Sequence, residues 1–553
     1  MFIILAASCA YATLPAPSRL LIDLQTGTNT SSSSSVTVAA SSTPLFSFLP
    51  ESEDAPAHGS IMSSYRIVIS HAISEAVAWD STKVAASDAI GIRCASPLVA
   101  GTYKYTAMWW DTTGRVSPPT STFFEVGPSA EMWASSGSPW FGASDQRELR
   151  FFFNTSRNDR LVRLFVASPG GVVVFLDGKT IGDAAGVSAW TAFDKRVIYE
   201  TRALETEALA RGADRASTTQ QHTIVLSLGS GFYSKPVGGA PHPACRFMLL
   251  LTDATGEARF LGATGISRVQ GRPGAVAEDS VTLGTSIDWR VTPGVGWAEA
   301  VPMSVPAAPA GVITPLTVPA ATTRCEVRPT AVTALGNDTW HYVLPVNLVG
   351  IVQIEASAYA GPGVLTVQHC ERLHLKTAAP TCVALAGLEA GVIDTHTLAA
   401  GAGTTSLVPR FTWHGFQHVF VRASGGATFS GARDALRGCW ATANLAPAAS
   451  ISFASDGGGA TLATLQSMVY SSQLSNMAAY IPTDCPTREK HGWLGDAQVT
   501  FEEAAYNLWA PTVHALFLEL IRDQQLLPPT SSSSSSLSAA AAAAAGGGGG
   551  CCC

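Results

Sequence analysis

At 553 residues the chain is too long for a single hydrophobic core and predicts three to five domains. An apolar share of 46% supplies those cores; only 14% of residues are charged, the net charge is −7 and no basic patch with interleaved aromatics occurs, which argues against a nucleic-acid partner. No apolar run reaches the ~18 residues that a bilayer span requires, so no membrane partner is expected, and a neutral polar ligand such as a carbohydrate fits the balance.

The opening MFIILAASCAYATLPAP joins an apolar run to an Ala10-Tyr11-Ala12 step resembling a signal-peptidase site. Residues 1–12 read as a signal peptide, without the usual basic region, and predict a secretory route. Residues 13–60 are rich in Ser, Thr and Pro, with Ser31 to Ser35 consecutive, and read as a tether. From 61 to 128, YRIVIS, GTYKYTAMWWD and STFFEV are strand-like and predict a small fibronectin type III-like β-sandwich.

Residues 129–305 predict a second β-sandwich, with strands in RELRFFF, RLVRLFVAS, GVVVFLDGKTIGD and HTIVLSLGSGFY. Asp177-Gly178 is a hairpin signal, because both residues tolerate positive φ. Trp190, Phe193, Asp194 and Tyr199 could line a sugar platform or fill a sandwich core. A third β block, 306–445, contains HYVLPVN, GIVQIEAS, GVLTVQHCERL and FTWHGFQHVFVRAS. His414 within it reads as a structural histidine. Seven cysteines lie between Cys9 and the terminal Cys551–Cys553, without metal-ligand spacing. Cys370 and Cys382 either close a local disulfide or stay as buried thiols.

Beyond 446 the apolar period changes. Leu462, Leu465, Met468, Val469 and Leu474 predict a helix over 459–479, and Phe501, Ala504, Ala505, Leu508, Leu516 and Leu520 predict a second that Pro511 must break. The Ser, Ala, Gly and Cys blocks of 528–553 cannot bury a core and read as a low-complexity tail. Between the helices lies TDCPTREKHGWLGDAQ, residues 483–498, the densest cluster of ionisable groups in the chain. Pro482, Pro486, Gly492 and Gly495 shape it as a loop. Asp484, Glu489 and Asp496 are placed to converge on one pocket. Glycoside hydrolysis needs a carboxylic acid to protonate the leaving oxygen and a carboxylate to act on water or on the anomeric carbon. Like charges held close keep one such group protonated near neutral pH. Arg488 and Lys490 could orient a carboxylate or donate to sugar hydroxyls, and Trp493 could wall a sugar's methyl group. A solvated charged loop with a structural tryptophan has the same composition.

SNMAAYIPTDCPTREKHGWLGDAQVTFEEAAYN, residues 475–507, resembles the signature of the α-L-rhamnosidases of glycoside hydrolase family 78, roughly D-C-P-x-R-(x)-E-x-x-G-W-x-G-D-A. FLDGKTIGD, WTAFDKRVIYET and LGSGFY resemble the family's N-terminal sandwich, and HCERL with FTWHGFQHVFV the concanavalin-like sandwich preceding its barrel. The resemblance implies a multidomain chain of several β-sandwich domains followed, over 446–527, by the start of an (α/α)6 six-hairpin barrel. It implies inverting hydrolysis of terminal α-L-rhamnose from rhamnosides without a metal or other cofactor. Glu489 takes the general-acid position, and Asp484, Arg488, Trp493 and Asp496 take substrate-binding positions. The loop is one residue shorter between Arg488 and Trp493 than in many members. VLPVNLVG keeps only Asn347 and Gly350 of a family Asp-x-Gly-x-Asn-x-x-Gly stretch. The family's general-base Glu belongs on a later helix, so the resemblance implies a C-terminally truncated chain, inactive or nearly so. A non-catalytic rhamnose-binding sandwich protein, or an inert fragment, is the alternative.

Overall fold

The alternation in Gly101–Asp111 buries every second side chain, including Tyr103, Tyr105, Ala107 and Trp109, and that stripe is one face of the first core. The computed structural model describes residues 14–525 apart from 27–37, 51–60, 143–144, 184, 205–218, 235–242, 263–265, 281, 292–293, 304–307, 375–379, 384–391 and 455–456. The signal-peptide stretch, Ser31–Ser35 and the low-complexity tail lie outside the described residues.

Val77–Asp80, Met62–His71, Gly101–Asp111 and Thr120–Val126 form an antiparallel sheet, with Val84–Ala85 also paired to Met62–His71. It faces a four-stranded sheet of Gln25–Thr26, Ser18–Ile22, Leu45–Leu49 and Ile92–Arg93 across a core that joins Phe46 and Phe48 to Tyr105 and Phe124. Much of the stretch read as a tether is therefore sandwich: its Ser/Thr/Pro composition hides Leu20, Ile22, Phe46 and Phe48, which are all buried.

The second sandwich packs a six-stranded sheet (Lys179–Ile181, Val172–Leu176, Thr219–Leu228, Glu148–Ser156, Ser267–Arg272, Ala298–Glu299) on a five-stranded one (Ala258–Leu261, Arg246–Asp253, Asp159–Ala167, Arg196–Leu204, Val312–Pro315). Asp177 (φ 48°) and Gly178 (φ 82°) turn its hairpin, with Leu176 opposite Lys179. Arg163 and Glu125, neither exposed, form an ion pair at 2.8 Å that ties this sandwich to the first.

A ten-stranded sheet follows, running through Val276–Ser280, Gly284–Asp288, Val392–Ala402, Tyr359–Cys370, His414–Ser424, Thr339–Ile354, Leu436–Ala443 and Ala321–Val327. HYVLPVN and GIVQIEAS belong to one strand with a register shift between Val343 and Leu348. Disulfides link Cys325 to Cys439 and Cys370 to Cys382. The boundary at 305/306 is crossed twice. Gly284–Asp288 leaves the second sandwich to pair in parallel with Val392–Ala402, while Val312–Pro315 returns to pair with Arg196–Leu204.

The helices are Gly459–Ser475, Leu494–Asn507 and Pro511–Gln524, the last with its proline in the first turn, where the missing N–H costs no helical bond. Leu474, Ala497, Ala504, Val513 and Phe517 share a core with Trp413, Ile351 and Tyr480. Leu462, Leu465 and Met468 are exposed instead, so the spacing located the first helix but not its buried face. No helix among the described residues is long and apolar enough to cross a membrane.

Candidate active site

The segment between the first two helices is buried at its root and open at its tip. Met477 to Ile481 are buried, with Tyr480 in a left-handed conformation (φ 65°), and Thr483 N–H donates to the Asn476 carbonyl at 2.9 Å. Asp484 and His491 then clasp each other. The Asp484 N–H donates to the His491 carbonyl at 2.9 Å, and the His491 N–H donates to Asp484 Oδ1 at 2.9 Å. The six residues between them form the tip.

Within the tip the burial alternates. Arg488 is exposed, Glu489 partly exposed and Lys490 fully buried. Glu489 Oε1 accepts from Arg488 at 2.5 Å and its Oε2 accepts from the Trp493 indole N–H at 2.8 Å. Trp493 is 47% exposed and precedes the helix Leu494–Asn507. Asp496 sits in that helix's first turn, where the helix dipole favours a negative charge. Gly492 packs closely, since a Cβ there would come within 2.7 Å of Ile481 Cδ1 and the buried Ile481 side chain would have to shift.

The carboxylates sense one another. Burial first, then the neighbouring charges of Glu489 and Asp496, push Asp484 up to about 6. Glu489 is lowered, by the Trp493 hydrogen bond before all else and also by Arg488, against a modest opposing effect of burial. The structure thus brings Asp484, Arg488, Glu489, Trp493 and Asp496 to one place, and in the free chain the shared proton rests on Asp484.

Other expectations shift. Lys490 points away from the open tip, so it cannot donate to a ligand there. Its Nζ donates to the Trp413 carbonyl and lies 5.0 Å from the centre of that indole. Trp190 stacks on His491, ring centres 5.1 Å apart, and Phe232 sits 5.7 Å from the same imidazole. Trp190, partly buried, therefore grips the loop, and Tyr199 is buried, which removes Tyr199 from a sugar platform. His414 is buried against Asp394 at 3.1 Å. Cys485 is an exposed free thiol. Glu371 was not anticipated: a side chain at Gly415 would strike both its carboxylate and the Thr487 hydroxyl, so this strand brings Glu371 against the loop. The HCERL run holding Glu371 gave no local sign of that contact.

Residues 456–532 match the bacterial α-L-rhamnosidase six-hairpin glycosidase domain. An α-L-rhamnosidase of Streptomyces avermitilis is 26% identical over 423 residues, covering 72% of this chain and 38% of that protein. The solved α-L-rhamnosidase of Dictyoglomus thermophilum superposes with a TM-score of 0.72 at 19% identity, covering 93% of this chain and 58% of its own. A Streptomyces avermitilis α-L-rhamnosidase solved with L-rhamnose gives a TM-score of 0.70 at 17% identity, covering 93% and 64%. The chain thus spans between about two fifths and two thirds of these relatives' lengths. Residues 456–532 thus match the six-hairpin glycosidase domain of bacterial α-L-rhamnosidases, and the succession of sheets and helices before them is shared with the fold of solved α-L-rhamnosidases.

Proposed function

We propose that this chain contributes the acid half and the sugar pocket of a site that hydrolyses terminal α-L-rhamnosides with inversion. The observation that carries the reading is the convergence of Asp484 and Glu489 of the clasped loop with Asp496 of the following helix, beside a half-exposed Trp493. Glu489 is the assigned general acid. Its carboxylate is the accessible member of the pair, and a sugar covering it would remove water, raise its proton affinity and draw the proton from Asp484. Arg488, Asp484 and Asp496 offer polar partners for the hydroxyls, and Trp493 an apolar wall. An inverting reaction separates acid and base by roughly 6.5–9.5 Å to admit water. Asp484 senses Glu489 too closely for that task, and the water-activating base is assigned to no described residue.

A second assignment exchanges the two roles, because Asp484 holds the proton in the free chain. Titration of the full chain with L-rhamnose, and hydrolysis of aryl α-L-rhamnosides with good and poor leaving groups, separate the readings. If Glu489 is the acid, Glu489→Gln retains sugar binding and selectively loses the poor leaving groups, whereas Asp484→Asn weakens binding for all. The opposite pattern exchanges the roles, and absence of rhamnose binding by the unmodified chain removes the proposal.

A further inference from the structure

Lys490 follows the assigned acid directly and is the one lysine among the described residues with no exposure at all. Its backbone is left-handed (φ 58°), a conformation that a lysine adopts only when its surroundings over-determine it. That reversal sends neighbouring side chains in opposite directions, Glu489 outward and Lys490 into the ten-stranded sheet. There the ammonium meets the Trp413 carbonyl and indole face and the field of Asp394. Asp394 is itself fixed: it accepts from the Thr285 N–H at 2.9 Å and lies 3.1 Å from His414 Nε2, with His369 Nε2 at 3.7 Å.

We infer that Lys490 is the positioning residue of the candidate site: its buried ammonium, seated against the Trp413 carbonyl and indole, sets the register of the loop and so the placement of Glu489. The inference rests on the reading of Glu489 as the acid. The next residue, His491, is held by Trp190 and Phe232, which lie in connections of the second sandwich, so consecutive loop residues are gripped from two different sandwich units and the tip has little freedom to slide. Burial lowers Lys490 to about 7 while Asp394 opposes that fall, so the anchor keeps its charge through the acidic range. A divalent ion among His369, Asp394 and His414 is the rival occupant of this cluster. Lys490 already supplies positive charge to the same carboxylate, which leaves an ion little to gain.

A buried charge can often be replaced by an apolar group of similar volume without loss of stability, so Lys490→Met separates positioning from folding. Hydrogen exchange of the full chain is measured over residues 483–493, together with titration by L-rhamnose. Lys490→Met is expected to speed exchange in that loop at least tenfold, leave the β-sheets unchanged and weaken rhamnose binding about tenfold. Lys490→Arg, which keeps the charge, should recover most of both. Unchanged loop exchange in Lys490→Met, or an Arg variant no better than Met, overturns the inference. If Lys490→Met does not fold, Asp394→Asn must loosen the same loop from a strand outside it, and a loop left unchanged overturns the inference equally. Elemental analysis that finds a stoichiometric divalent metal, lost in Asp394→Asn, also overturns it. A chain that binds no rhamnose but shows the expected exchange defeats the functional reading alone.

Discussion

The Trp493 indole N–H donates to Glu489 at 2.8 Å, so the proposed apolar wall and the proposed acid are one hydrogen-bonded unit. This bond favours the ionised carboxylate and is the main cause of Glu489's lowered proton affinity. Trp493→Phe removes the donor and keeps an aromatic face. Glu489 should then titrate higher, because the largest cause of its lowered proton affinity is gone. Spectra of the chain labelled with 13C-carboxyl glutamate, assigned with Glu489→Gln, measure the shift.

Asp484 gives a pH dependence of opposite origin. Its folded-state value, about 6, lies above the ordinary 3.8, so it binds more protons folded than unfolded between those values, and its contribution to stability declines as pH rises through that window. Asp484→Asn removes the decline while its amide oxygen can still accept the His491 N–H. The variant should melt roughly 2 °C higher than the parent at pH 7 and equally at pH 3.5. Thermal denaturation at the two pH values decides it, and a gain that persists at pH 3.5 would contradict the electrostatic cause.

Two glycines of the loop should respond oppositely. Gly492→Ala forces a methyl within 2.7 Å of Ile481 Cδ1 and 3.1 Å of Phe517 Cε2, an overpacking that costs roughly 1–3 kcal/mol. At Gly495 an added Cβ meets nothing within 4 Å, and helix propensity predicts a gain of roughly 0.5–1 kcal/mol. Denaturant unfolding of the two variants checks the contrast.

The Arg163–Glu125 pair lies out of water between the first two sandwiches, and Thr201 donates to the same carboxylate at 3.2 Å. Glu125→Gln leaves Arg163 as an uncompensated buried charge and should cost about 3–5 kcal/mol. Replacing both residues by apolar side chains of similar volume should recover most of that loss, as read by urea unfolding of the two variants.

What was legible in the sequence is what depends on near neighbours. The strands around Tyr103 and Phe151 announce themselves by alternation, the Asp177-Gly178 turn by its dihedral tolerance, and the break before the last helix by Pro511. The five candidate site residues were legible as a cluster because a single run from Asp484 to Asp496 carries them all, dense in charge against an otherwise apolar chain. Lys490's burial was not legible, because its partners Trp413 and Asp394 lie 77 and 96 residues away. The apolar spacing of Leu462, Leu465 and Met468 located a helix, yet packing left those side chains in solvent. Composition likewise concealed the strands Ser18–Ile22 and Leu45–Leu49, since the four apolar residues that matter are diluted by serine and threonine.

The exchange of strands between the second sandwich and the ten-stranded sheet constrains how this chain can be divided. Gly284–Asp288 crosses one way and Val312–Pro315 crosses back, so a cut anywhere between them strips both sheets of an outer strand and bares backbone donors and acceptors in each. The two units are thus stitched rather than strung together. Fragments made by cutting in that span should aggregate or pair with foreign strands, and the two sandwiches should be expressed, exchanged between proteins and inherited as a single block.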